Sequence, residues 1–145
     1  MDQLLVVDDN EVNLQLLLAF LKQKGFAVRS ARNGLDAIEQ VIKFTPDLIL
    51  MDLQMPYMDG WEATRRIKAR PNSKHIPIIA VSSYLGREEM EKLTKIGFND
   101  FVSKPLDLTS EGLLFKIKTL LTRRGGTRTA IKDGLGIGRQ ISSMM

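Results

Sequence analysis

The sequence has no cysteine and a single histidine. Without cysteine there can be no disulfide, no thiolate metal site and no thiol nucleophile, and a reducing compartment is compatible with that lack. The one histidine, His75, lies in a loop flanked by Pro71 and Pro77. It reads neither as a phosphodonor nor as a metal ligand. No apolar run is long enough to cross a bilayer. The start, Met1-Asp2-Gln3 followed by Leu4 to Val7, has no basic stretch ahead of its short apolar one, so it does not read as a signal peptide. A cytoplasmic location without membrane contact is the expectation. A Gly-x-x-x-x-Gly-Lys-Ser/Thr loop is also missing, which disfavours a nucleotide-binding α/β protein.

What is present has the size of one ordinary domain, 145 residues, with enough length for one sizeable core. The net charge of +4 belongs to one end of the chain. Residues 1–121 carry equal numbers of basic and acidic side chains. From Thr122 onward, Arg123, Arg124, Arg128, Lys132 and Arg139 face Asp133 alone. The folded body therefore has no basic excess to bring it to nucleic acid. The expected division is a folded domain over 1–123 and a flexible, basic, Gly-containing tail over 124–145. Gly134, Gly136 and Gly138 in that tail have neither the spacing nor the flanking elements of a dinucleotide fingerprint.

Short β-like runs alternate with longer helical ones. Leu4–Val7, Phe26–Ser30, Leu48–Met51, Ile78–Val81 and Phe101-Val102 read as strands. Helices are expected over about 11–24, along a face marked by Leu35, Ile38, Val41 and Ile42, over about 60–69 and 87–96, and along Leu113 to Leu121. The first helix is expected to present Val12, Leu16, Leu17, Phe20 and Leu21 as its stripe. Gly25, Pro46 and Gly97 punctuate the pattern. Such alternation implies an α/β fold with a parallel sheet, and nearly all-apolar strands imply helices on both faces. In such folds ligands bind beyond the carboxyl ends of the strands.

Those ends carry Asp8-Asp9, Asp52, Ser82 and Lys104. Singly, each has a bland reading. Asp8 or Asp9 can cap a helix, Asp52 can open a turn before Pro56, Ser82 can be an ordinary hydroxyl, and Lys104 a solvated lysine. Together they describe chemistry. Three crowded carboxylates stay ionised only beside cations. Lys104 offers one positive charge, and an all-oxygen ligand set favours a hard divalent ion such as Mg²⁺. A carboxylate beside that ion can accept a phosphoryl group as an acyl phosphate. The ammonium of Lys104 and the hydroxyl of Ser82 can then engage its oxygens, which is most of what phosphoryl transfer requires.

The runs Val6-Val7-Asp8-Asp9-Asn10, Leu50-Met51-Asp52-Leu53-Gln54-Met55-Pro56 with Met58-Asp59-Gly60, Ile79-Ala80-Val81-Ser82 and Phe101-Val102-Ser103-Lys104-Pro105 together resemble the signatures of response-regulator receiver domains in two-component signalling. The resemblance covers about residues 3–123. It implies a doubly wound (βα)5 flavodoxin-like fold with a five-stranded parallel sheet in the order 2-1-3-4-5. It also implies a signalling phosphoacceptor rather than an enzyme, limited to Mg²⁺-dependent self-phosphorylation and autodephosphorylation. By the same resemblance Asp8, Asp9, Asp52 and the backbone carbonyl of Gln54 hold Mg²⁺. Asp52 is the phosphoacceptor, Lys104 pairs with the phosphoryl group, and the bond from Lys104 to Pro105 is cis. Ser82 and Phe101 are the switch pair, although Phe101 lacks the tyrosine hydroxyl common at its position and serves equally well as core.

Two positions tune dephosphorylation in the family. Here they are Gln54 and Tyr84, and Tyr84 is expected to shield the acyl phosphate from water. Ser83 stands where alanine is usual, and as a slightly larger polar residue it is expected to alter access for the incoming phosphate. The implied partners are a histidine kinase or histidine phosphotransfer protein as donor, and a protein target on the face built from the fourth helix, fifth strand and fifth helix. A phosphorylation-linked homodimer is a further expectation. Aspartyl phosphatases are the competing class, but they place a second acid two residues after the nucleophile, where this chain has Gln54. A receiver-like binding module that is never phosphorylated would usually have lost an acid or the lysine. No output domain is recognisable after residue 123, so a stand-alone regulator, a receiver from a hybrid kinase and a receiver from a larger regulator all fit.

Overall fold

The computed structural model describes residues 1–83 and 85–126, with side chains through Arg123. Its elements alternate strictly: β1 (Gln3–Val7), α1 (Glu11–Gln23), β2 (Ala27–Ala31), α2 (Gly34–Phe44), β3 (Leu48–Asp52), α3 (Gly60–Lys68), β4 (Ile78–Ser82), α4 (Arg87–Ile96), β5 (Asp100–Ser103) and α5 (Gly112–Gly126). The chain divides into two units, Met1–Leu113 and Leu114–Met145. The first holds the sheet and α1 to α4. The described part of the second is the remainder of α5. The tail expected over 124–145 falls outside the described residues, apart from the helix end at Gly126. Among the described residues no helix is long and apolar enough to cross a membrane.

The five strands are parallel and lie in the order β2-β1-β3-β4-β5, as the resemblance implies. β3 and β4 are buried along their whole length, which is why their sequences read as unbroken apolar runs. Leu5, Val7, Ile49, Met51, Ile78 and Ala80 join one core cluster with Ala37 and Val41 of α2, Ala63 and Ile67 of α3, and Leu93 of α4. Leu4, Val6, Leu48 and Leu50 alternate with these along the strands and are equally buried. The register pairs Val7 with Met51, Asp52 with Val81 and Ser82 with Ser103. The ends of β1, β3, β4 and β5 therefore reach one edge of the sheet.

Two helices turn differently from the sequence reading. α1 buries Leu14, Leu17 and Leu21, while Val12 and Leu16 are exposed. α2 buries Gly34, Ala37 and Val41 and leaves Leu35 and Ile42 in solvent. In α2 the small residues face inward because the helix lies close to its neighbours. A Cβ on Gly34 would come within 2.6 Å of the Met58 carbonyl oxygen, which already accepts a hydrogen bond from the Gly34 N–H. The cap of α1 is neither Asp8 nor Asp9 but Asn10, whose side chain accepts from the Asn13 N–H.

At the opposite end of the sheet Lys68 ties α3 to the segments entering β4 and β5. Its ammonium donates to the Ile76 carbonyl at 2.6 Å, to Asn99 Oδ1 at 3.1 Å and to the Lys74 carbonyl at 3.3 Å. Burial pushes this ammonium from 10.5 down to about 8. Between those values the unfolded chain binds the proton that the folded chain has lost, so stability rises with pH across that window. Urea midpoints measured from pH 7.5 to 10 should rise more in the wild type than in Lys68→Met. Parallel profiles would refute the assignment.

Candidate functional site

Asp8 directly follows β1 and is buried, whereas its neighbour Asp9 is exposed. Asp8 Oδ1 accepts the Asn10 N–H at 2.9 Å, which folds the loop into α1. Asp52, the last residue of β3, is 3 % exposed. The carboxylates of Asp8, Asp9 and Asp52 each place an oxygen within 4.8 Å of the others. Lys104 follows β5 and reaches across the sheet edge. Its Nζ lies 3.1 Å from Asp52 Oδ2 and 3.6 Å from Asp8 Oδ2. The Lys104 N–H donates to the Ser82 carbonyl at 2.8 Å, which fixes the lysine's backbone against the end of β4. The Lys104–Pro105 peptide bond is cis, as the resemblance implies.

The electrostatics follow from crowding. Burial raises the Asp52 carboxyl from 3.8 to about 6, with the Asp8 charge adding to the rise. The Lys104 ammonium and the Gln54 N–H, which donates to Asp52 Oδ1 at 3.3 Å, pull it back down. One ammonium thus offsets only part of the charge of three carboxylates. The donor set is oxygen alone and clustered, and it suits a hard divalent cation. Asp8, Asp9 and Asp52 are the residues able to hold one.

Ser82 is buried at the end of β4, and Ser83 beside it is exposed. Ser83 lines a cleft of about 560 Å³ with Asp8, Lys104, Leu17, Pro105 and Leu106. Phe101 is half-buried against the core cluster. Gln54 is exposed, two residues beyond Asp52. Tyr84, expected to shield the acyl phosphate, lies outside the described residues. His75 is exposed in a turn, away from the carboxylates in sequence and on the opposite side of β4.

Three features of the site have no plain signal in the sequence. Gly60 starts α3 directly against the backbone of Asp52, and an added Cβ would collide with the Asp52 carbonyl. Tyr57 has φ +68° and is 88 % exposed, at the centre of a turn closed by the Met58 N–H on the Pro56 carbonyl. Glu11 and Arg32 form an ion pair at 2.6 Å between the first turn of α1 and the loop after β2. Only the Asp59-Gly60 pair, a turn and helix-start signal, hints at the first.

A sequence profile of the response regulator receiver domain matches residues 4–113. The chain is 39% identical over 128 residues to hybrid signal transduction histidine kinase B of Dictyostelium discoideum, covering 81% of this chain and 6% of that protein. It is 35% identical over 104 residues to the polar-differentiation response regulator DivK of Brucella anthropi, covering 72% of this chain and 85% of that protein. Among solved structures, the receiver domain of sensor histidine kinase PA1611 from Pseudomonas aeruginosa, with a magnesium ion coordinated in its active-site cleft, superposes with a TM-score of 0.71. That pair is 31% identical and covers 86% of this chain and 98% of the other. The chain therefore spans nearly all of one kind of relative and a small fraction of the other.

Proposed function

Since the chain belongs to the response regulator receiver domain family, we propose that it accepts a phosphoryl group on Asp52 and relays that event through a change of surface. The observation that carries the reading is the Lys104 ammonium set between the carboxylates of Asp52 and Asp8, with Asp9 beside them at one sheet edge.

Asp52 supplies the attacking oxygen. A new O–P bond forms as the bond from phosphorus to the donor breaks, and the donor leaves with that electron pair. The ammonium of Lys104, now on Asp52 Oδ2, is placed to follow the charge as it moves onto the phosphoryl oxygens. Mg²⁺ held by Asp8, Asp9, Asp52 and the Gln54 carbonyl would neutralise carboxylate and phosphoryl oxygens together. The hydroxyl of Ser82 and the ring of Phe101 then favour the inward arrangement of a two-state equilibrium. The face formed by α4, β5 and α5 is where the resemblance puts the protein target. A phosphohistidine on a kinase or phosphotransfer protein is the donor that family membership supports. Gln54, and not an acid, follows two residues after Asp52, which argues against turnover of external phosphates.

Incubation with Mg²⁺ and acetyl phosphate should give one base-labile phosphoryl adduct by intact mass, and EDTA should remove it. Absence of any adduct, together with absence of beryllofluoride binding, would favour a receiver-like binding module instead.

A further inference from the structure

Of α1 to α4, α4 is the most lightly anchored. α1 and α2 each bury three residues and α3 four, and all three start on a side-chain cap. α4 buries Leu93 alone and begins at Gly86 without a side-chain cap. Few buried contacts and an uncapped start mark an element of low local stability. Two of its ties to α3 meet at one side chain. The Lys92 ammonium of α4 sits 5.1 Å from the centre of the Trp61 ring. Phe98, just past the end of α4, meets the same ring edge-on with centroids 5.7 Å apart.

Trp61 is also the residue after Gly60. The Gly60 N–H donates to the Leu53 carbonyl at 3.0 Å, and there is no room for a Cβ between Gly60 and the Asp52 carbonyl. The backbone of Asp52 and the start of α3 therefore have no slack between them, and close-packed contacts transmit displacement.

We propose that Trp61 is a positioning residue that ties the state of Asp52 to the placement of α4. The proposal rests on Asp52 being the phosphoacceptor. A shift of the Asp52 backbone on loading moves Gly60, and the adjoining indole leaves its place under Lys92. The Trp61–Lys92 contact coexists here with the Lys104–Asp52 pair and belongs to the unloaded arrangement. Weakening it favours loading, and by linkage loading weakens it.

Trp61 is the sole tryptophan of the chain, so indole emission reports on this position alone. The full chain would be titrated with beryllofluoride in Mg²⁺, with loading read by the fluorine resonance of bound beryllofluoride and the indole by its emission. The wild type should show an emission shift that tracks loading. Lys92 is exposed, so Lys92→Met should keep the fold, as its urea midpoint would verify. That variant should halve the emission shift or abolish it, and it should load at about two- to fivefold lower beryllofluoride. Trp61→Phe should move the midpoint less than Trp61→Ala, since a smaller ring still meets Phe98. Loading with silent emission, or a Lys92→Met midpoint that stays put or rises, would overturn the inference and leave Asp52 as the acceptor. No loading in the wild type would overturn both.

Discussion

Asp52→Asn is expected to reduce phosphoryl adduct formation from acetyl phosphate by at least about a thousandfold, because it removes the proposed nucleophile and leaves the rest of the site in place. The amide has nearly the shape of the carboxylate, and its oxygen can still accept from the Lys104 ammonium, now 3.1 Å away. Asp8 and Asp9 remain as acids, so an adduct of undiminished yield would mean that another side chain is the acceptor. The same variant carries a stability signature. In metal-free buffer the wild-type carboxyl titrates at about 6 in the folded chain, raised from 3.8 mainly by burial. Over that window the folded state binds the extra proton, so the wild type loses stability as pH rises from about 4 to 6. The amide variant has no such loss. By pH 7 it should be the more stable by about 3 kcal/mol, with the gap closing below pH 4. Equal urea midpoints at pH 7 would show that burial of the charge costs the fold nothing.

Why Asp52 is legible in the sequence at all follows from the architecture. A central parallel strand is covered on both faces, so its apolar run continues until the chain leaves the sheet. The first polar residue is then the one at the ligand-binding edge. Leu48–Met51 ending in Asp52 and Ile78–Val81 ending in Ser82 are such runs, and both strands are fully buried. The helices offered less. α1 has apolar residues at Val12, Leu14, Leu16, Leu17, Leu18, Phe20 and Leu21, which surround much of its circumference. Periodicity cannot set the phase of such a helix, and packing chose Leu14 over Val12 and Leu16. In α2 the large apolar residues mislead because close approach selects glycine and alanine for the inner face. The Asp8-Asp9 pair has the same limit. Adjacent acids are equivalent in a sequence, and what separates them is that the Asp8 N–H still donates to the Ala31 carbonyl of β2 at 3.1 Å, which keeps Asp8 buried on the sheet while Asp9 is exposed. The contact between Trp61 and Lys92 crosses two helices whose spacing no local pattern records.

Gly60→Ala should destabilise the chain by about 3 kcal/mol or more, a large share of the total for a domain of this size. Helix propensity alone predicts the opposite, since alanine inside a helix is favoured over glycine by about 1 kcal/mol. Nor is the cause a left-handed backbone. Among the described glycines that conformation is taken by Gly25, with φ +95°, and Gly97, with φ +121°. At Gly60 the cause is the space taken by the Asp52 carbonyl oxygen, with Met51 Cγ at 2.9 Å and the Asp52 carbonyl carbon at 3.0 Å from an added Cβ. Two of these three atoms are backbone in the middle of a five-stranded sheet and cannot rotate away. Gly25→Ala supplies the contrast. Nothing lies within 4 Å of its added Cβ, so it should lose only the conformational term of about 1 to 2 kcal/mol. The effect at Gly60 also reaches the site. Whatever fraction of the variant folds must displace the Asp52 backbone, so its adduct yield per folded molecule should fall below that of Gly25→Ala. Equal urea midpoints for the two variants would show that α3 can retreat from β3. The close approach of Gly60 would then not be what holds Asp52 in place.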